Sequence, residues 1–187
     1  GVLNVVPGLG ITAVEALASH RDVDKLHFTG STQVGRQLMQ YAGQSNGKPL
    51  MLEMGGKSPQ LVFEDAADLS NLGATLAGWA FHNTGQLCVA RTRLIVHENI
   101  KEQILASIKT ETQNVFRVGN PLNETTTFGP ISTRKQYDRV NSYLELGTSE
   151  GANLQLLTIA GDMPPSPEAS GYFMQPALFD NVKNTMR

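Results

Sequence analysis

Short apolar runs alternate with segments of helical spacing along this 187-residue chain. Residues 3–6 read as a strand that ends in the Pro7-Gly8-Leu9-Gly10 turn, and residues 11–19 as a helix with Val14, Leu17 and Ala18 at helical spacing. Residues 25–28 read as a second strand. Thr29-Gly30-Ser31-Thr32 then turns into a helix through Tyr41, and residues 49–53 form a third strand. Strand, helix, strand, helix, strand in succession argues for a parallel sheet, hence an α/β fold.

The series restarts after Pro59. Strands are expected at 60–63, 93–96 and 154–157, and helices at 65–82, 99–115 and 133–146. In the first of these helices Leu69, Leu72, Leu76 and Trp79 share one side. Gly119-Asn120-Pro121 opens a loop to Pro130. Pro164, Pro165 and Pro167 mark an exposed loop over 162–171, and 172–179 is extended. The turn over residues 53–59 is the junction between two α/β units, assigned as 1–52 and 53–187. No internal repeat is present.

Composition narrows the function classes. Hydrophobic residues make up 40% and charged residues 17% of the chain, enough for a core and unlike a disordered segment. The net charge is −2 and no Lys/Arg run exceeds two residues, which argues against a nucleic-acid partner. No apolar run approaches the roughly 18 residues of a spanning helix, and no secretory signal opens the sequence. A single cysteine cannot form an internal disulfide, and Cys/His pairs at zinc spacing are absent. A soluble, cytoplasmic protein without metal or membrane partner is expected. Both ends read as cut, so an internal fragment is expected too.

The lone thiol, Cys88, follows Gly85-Gln86-Leu87, and Glu53 precedes Met54-Gly55-Gly56-Lys57-Ser58-Pro59. A thiol attacks as its thiolate and needs a partner that takes its proton, so a cysteine and an acid are a candidate nucleophile and base. Each has a plainer explanation. Free cysteine is commonly buried, Glu is commonly a solvated carboxylate, and spacing alone does not bring the two together.

Two glycine turns lead from strand to helix. Gly8-Leu9-Gly10-Ile11-Thr12-Ala13 matches G-x-G-x-x-A in form, but no acid lies about twenty positions on, so it is not assigned the usual pyrophosphate role. Phe28-Thr29-Gly30-Ser31-Thr32-Gln33-Val34-Gly35 is the second. Helix-start N–H groups with a Ser31 hydroxyl suit a phosphate. An ordinary helix start capped by Ser31 or Thr32 explains the same residues equally well.

Taken together, these stretches resemble the aldehyde dehydrogenase superfamily. The resemblance rests on Asn4-Val5-Val6-Pro7-Gly8-Leu9-Gly10, Phe28 to Gly35, Leu52-Glu53-Met54-Gly55-Gly56-Lys57-Ser58-Pro59 and Gly85-Gln86-Leu87-Cys88. Weaker support comes from Gly119-Asn120-Pro121, Phe128-Gly129-Pro130, Gly171-Tyr172 and Gln175-Pro176. The resemblance implies that Cys88 attacks an aldehyde carbonyl and that Glu53 activates the thiol or the hydrolytic water. It implies NAD or NADP as cofactor, with Thr29, Gly30, Ser31 and Gly35 at the pyrophosphate, Gly10 and Val34 flanking the adenine, and the Met54 carbonyl on the nicotinamide amide. Residues 1–52 then correspond to the second half of a Rossmann-like dinucleotide domain and 53–187 to the first part of a catalytic domain. The family's further oxyanion, adenine-ribose and nicotinamide-ribose ligands have no counterpart in the chain.

The resemblance further implies a small-molecule aldehyde as substrate, a homo-oligomeric parent protein, and no activity in the 187-residue chain alone. Two rival readings remain open. One is a cofactor-independent thiol esterase; the other is a non-catalytic structural or binding protein on the same fold.

Overall fold

A computed structural model describes residues 1–163 and 171–187, so the proline-rich part of the loop expected at 162–171 falls outside the described residues. The chain divides into two units, Gly1–Gly56 and Lys57–Arg187.

In the first unit a π-helical turn, Gly10–Val14, runs into α1 (Glu15–Ser19). β1 (Leu26–Gly30), α2 (Thr32–Gln44) and β2 (Leu50–Met54) follow. β1 and β2 pair in parallel, from Leu26 opposite Leu50 to Gly30 opposite Met54. Strand alternation half-buries Leu26, Phe28, Leu50 and Leu52, while His27, Thr29, Met51 and Glu53 stay exposed. α2 buries Gly35, Leu38 and Ala42, one stripe of a helix. The buried Lys48 ammonium donates to the Ala18 carbonyl at 2.6 Å and the Ser45 hydroxyl at 2.9 Å, tying the ends of α1 and α2 together.

Residues 3–6 form no strand, contrary to expectation. Leu3, Val5 and Val6 are 85%, 83% and 66% exposed. An extended apolar run becomes a strand only when a neighbour takes its N–H and C=O groups, and none does so among the described residues.

The second unit contains β3 (Pro59–Val62), α3 (Leu72–Phe81), β4 (Arg93–Val96), α4 (Lys101–Val115), α5 (Arg134–Ser149), β5 (Asn153–Leu156) and β6 (Ala177–Asp180). β3 and β4 are parallel. β5 and β6 are antiparallel, a departure from the purely parallel pattern; an antiparallel pair needs no crossover helix, and the described part of the link between them contains none. The core gathers Val62, Leu76, Ile104, Ile108, Phe116 and Phe128. α3 lies so close to α4 that a Cβ on Gly73 would sit 2.6 Å from the Ser107 carbonyl carbon.

The helix expected over 65–82 is shorter at its start. Asp68 takes a φ of 56°, and its carboxylate accepts from Asn71 Nδ2 and Ser70 Oγ at 2.9 Å each. These bonds hold its carboxyl below the usual range. Such local side-chain bonding offers the chain an alternative to helix, so α3 begins only at Leu72.

Two alanine substitutions in α3 should act with opposite sign. Gly73→Ala overpacks the Ser107 backbone and should cost about 1–3 kcal/mol. Gly78→Ala meets nothing within 4 Å and should stabilise by about 0.5–1 kcal/mol, because helical Ala loses less backbone entropy than Gly. Urea midpoints of the two variants check this. A second expectation concerns pH. Lys101 Nζ lies 2.7 Å from Asp180 Oδ1. Its hydrogen bond holds the Asp180 carboxyl below the usual range and raises the Lys101 ammonium. The carboxyl stabilises the fold above its unfolded value and loses that contribution as pH falls through the lower folded one. Asp180→Asn should therefore lower the urea midpoint slightly at pH 7, and that difference should fade as pH falls below the ordinary aspartate value near 3.9 and through the lower folded one.

Candidate active site

The carboxyl ends of β1 and β2 gather most of the first unit's expected site residues. Register places Thr29 opposite Glu53 and Gly30 opposite Met54. Thr29 and Glu53 are exposed on the strand face that does not carry the half-buried leucines. Ser31 is the N-cap of α2, its hydroxyl accepting from Val34 N–H at 3.3 Å. The first intrahelical bond runs from Gly35 N–H to the Ser31 carbonyl at 2.9 Å, so helix geometry gives the Thr32 and Gln33 N–H groups of the first turn no intrahelical acceptor. Gly35 lets the Met54 side chain lie directly against α2. A Cβ there would lie 3.3 Å from Met54 Cγ and closer still to Met54 Sδ. Gly10 stands apart, at the start of the π-helical turn in open space.

These features fit a dinucleotide. A 13-residue helix opens from a strand end, its capping hydroxyl and glycines leave the backbone approachable, and ligands of open α/β sheets bind beyond the carboxyl ends of the strands.

Cys88 belongs to the second unit, in a loop that begins where α3 ends. Asn83, Thr84 and Gly85 have φ of 50°, 57° and 70°, three left-handed residues in a row. For β-branched Thr84 this conformation costs on the order of 1–3 kcal/mol, offset in part by its hydroxyl donating to the Gly129 carbonyl at 3.1 Å. A turn closed by Ala90 N–H to the Leu87 carbonyl at 3.1 Å follows, with Cys88 at its second position. Leu87, Cys88 and Val89 are exposed, while Ala90 is buried. The thiol is thus carried out on an exposed turn between anchored neighbours.

The far side of that turn is held as well. Arg91 N–H donates to the Trp79 carbonyl at 3.1 Å, and the Arg91 guanidinium lies 4.0 Å over the Trp79 ring. The buried Gln60 amide, on β3, donates to the Arg91 carbonyl at 3.0 Å. On the near side, Gln86 bonds to the segment 130–132. The roles of Gln60, Thr84 and Gln86 were not read from the sequence. The only signal was that Gly-Gln-x-Cys and Phe-Gly-Pro both belonged to the resemblance; nothing in their spacing showed that they meet. Among the described residues no group of His, Cys, Asp and Glu is arranged to hold a metal ion, and no helix is long and apolar enough to cross a membrane.

A family model described as "Aldehyde dehydrogenase family" matches residues 1–187. Aldehyde dehydrogenase 1A1 of Homo sapiens is 42% identical over 187 residues, covering 100% of this chain and 36% of that protein. Among solved structures, indole-3-acetaldehyde dehydrogenase complexed with NAD+ superposes with a TM-score of 0.91 at 42% identity, covering 100% of this chain and 37% of that one. A cysteine-to-alanine mutant of AldA indole-3-acetaldehyde dehydrogenase from P. syringae, in complex with NAD+ and IAA, gives 0.90 at 41% identity, with 100% and 37% covered. The chain therefore spans little more than a third of the length of these relatives.

The contact between Gly35 and Met54 makes a direct expectation. Gly35→Val should push α2 from the end of β2 and cost about 1–3 kcal/mol, read as a lower urea midpoint, whereas Gly43→Ala, with nothing within 4 Å, should not destabilise.

Proposed function

The chain belongs to the aldehyde dehydrogenase family, and from that premise we propose that the protein containing it oxidises an aldehyde to a carboxylic acid through a covalent intermediate on Cys88. The observation that carries this reading is the exposed Cys88 turn, anchored on both sides, in a chain matched by the family over its whole length.

In this reading residues 1–52 are the second half of a dinucleotide-binding domain and 53–187 the first part of the thiol domain. Thr29, Gly30, Ser31 and Gly35 receive the pyrophosphate, Gly10 and Val34 flank the adenine, and the Met54 carbonyl accepts from the nicotinamide amide. Relatives solved with NAD+ and the glycine-cleared start of α2 support this assignment. Glu53, directly or through water, takes the Cys88 thiol proton and later returns it to solvent; Cys88 Sγ attacks the carbonyl carbon as the thiolate, a C–S bond forms, and the carbonyl electron pair moves to oxygen. In this reading the Cys88 backbone N–H donates to that oxyanion. A nicotinamide dinucleotide, when bound, supplies the acceptor for the hydride that leaves this carbon. Water then attacks the thioester, Glu53 takes the water's proton, and the Cys88 thiolate departs with release of the acid. An exposed acid at a strand end, open to water, favours hydrolysis over transfer to another thiol.

The test is steady-state NADH formation in the full-length protein with a panel of aldehydes. Cys88→Ser should lower turnover by at least ~10³-fold, and Glu53→Gln by roughly 10²–10⁴-fold. Activity untouched in Cys88→Ser would overturn the reading, and turnover without NAD or NADP would favour a thiol esterase. The 187-residue chain assayed alone should form no NADH.

A further inference from the structure

Gln86 lies two residues before Cys88, and its side chain is committed at both ends. Its Oε1 accepts from Ser132 N–H at 2.8 Å, and its Nε2 donates to the Pro130 carbonyl at 3.2 Å. A longer bond, 3.5 Å, runs from Nε2 to the Asn83 carbonyl within the loop. At neutral pH a side-chain amide carries an acceptor and a donor side by side for this task. A carboxylate could accept from Ser132 but would set a negative oxygen against the Pro130 carbonyl, and a leucine would fill the volume with neither bond.

Little slack separates this bonding from the thiol. Gln86 N–H closes one turn onto the Asn83 carbonyl at 3.1 Å, and Ala90 N–H closes the next onto Leu87 at 3.1 Å. Beyond Cys88 the chain is pinned again through Arg91 to Trp79 and Gln60. Cys88 thus rides between two fixed points, one of which is a single side chain. We infer that Gln86 is a positioning residue for the Cys88 thiol, setting the place of its turn through the paired bonds to Pro130 and Ser132. The inference rests on the reading of Cys88 as nucleophile.

Gln86→Leu and Gln86→Glu in the full-length protein test it, with kcat and KM for aldehyde measured alongside the rate of Cys88 alkylation by iodoacetamide. Both variants should lose roughly 10–100-fold in kcat, because a displacement of about an ångström costs that much in a positioned reaction. KM should stay within about 3-fold, and alkylation should change along with kcat. In Gln86→Glu the variant-to-parent ratio should recover as pH falls toward the ordinary glutamate value near 4.3, since the protonated acid regains a donor for Pro130. Ile108→Val separates this from loss of stability. Ile108 is a buried core residue of α4, and losing one methyl group there should lower Tm while leaving kcat and alkylation unchanged. Gln86 variants that match the parent, or that match Ile108→Val at equal loss of Tm, would overturn the positioning role. Cys88→Ser, run in parallel, tells the two failures apart: retained turnover there defeats the nucleophile itself, whereas lost turnover beside unaffected Gln86 variants defeats only the positioning.

Discussion

The second unit depends on the ring of Phe116. It meets Phe81 edge-on with centroids 6.2 Å apart, and Phe128 with centroids 5.7 Å apart. Each pair is in the orientation aromatic quadrupoles favour. Phe81 is the last residue of α3, and only His82 separates it from the left-handed residues that lead to Cys88. Phe128 immediately precedes the Gly129 carbonyl and the Pro130 and Ser132 groups that receive the loop. One buried contact therefore sets the spacing of the two segments that must bond to each other. Backbone bonds from Thr127 and Phe128 to the Arg117 carbonyl, at 3.0 and 2.9 Å, hold Phe128 beside Phe116.

The strain in the Cys88 loop is intelligible on that footing. A non-glycine left-handed residue persists only where its surroundings over-determine it. Asn83 tolerates the conformation better than most residues; Thr84 does not, and it carries the hydroxyl bond to Gly129. Gly85 supplies the third such residue without a Cβ to accommodate. The sharp reversal ends α3 as the rings require and lifts the thiol out of the core on a turn rather than burying it.

Periodicity reported elements well where packing obeyed it. β4 follows its pattern to the residue, and α2, α4 and α5 to within three residues at each end, because α2 and α4 bury their apolar faces and α5 half-buries Tyr137, Val140 and Leu144 on its own. It failed where a partner or a local bond decides. Residues 3–6 carry the pattern of a strand and lack a neighbour. Residues 65–71 carry the pattern of a helix and are diverted by Asp68. β6 reads as extended without revealing that it runs antiparallel to β5. Cys88 and Glu53 stood out by residue type and glycine context, since thiols and acids advertise their chemistry. Gln86, Thr84 and Gln60 did not. An amide or hydroxyl in a loop is ordinary until the carbonyl it binds is known, and those carbonyls lie 31 to 45 positions away in sequence.

The two candidate reactive groups are held by different physics. Glu53 sits on β2, whose place is set by a parallel ladder and by the packing of Met54 against Gly35. Its backbone is constrained at every residue, and the exposed side chain keeps its rotamers. Cys88 sits on a turn, constrained at its flanks by side-chain amides reaching to distant backbone. A short thiol has one rotatable bond before its sulfur, so its position is that of its backbone, and the precision must come from the anchors. The long Glu53 side chain keeps its reach on a fixed strand end, whereas the place of the Cys88 sulfur is decided by how tightly Gln86, Gln60 and Arg91 hold the turn that carries it.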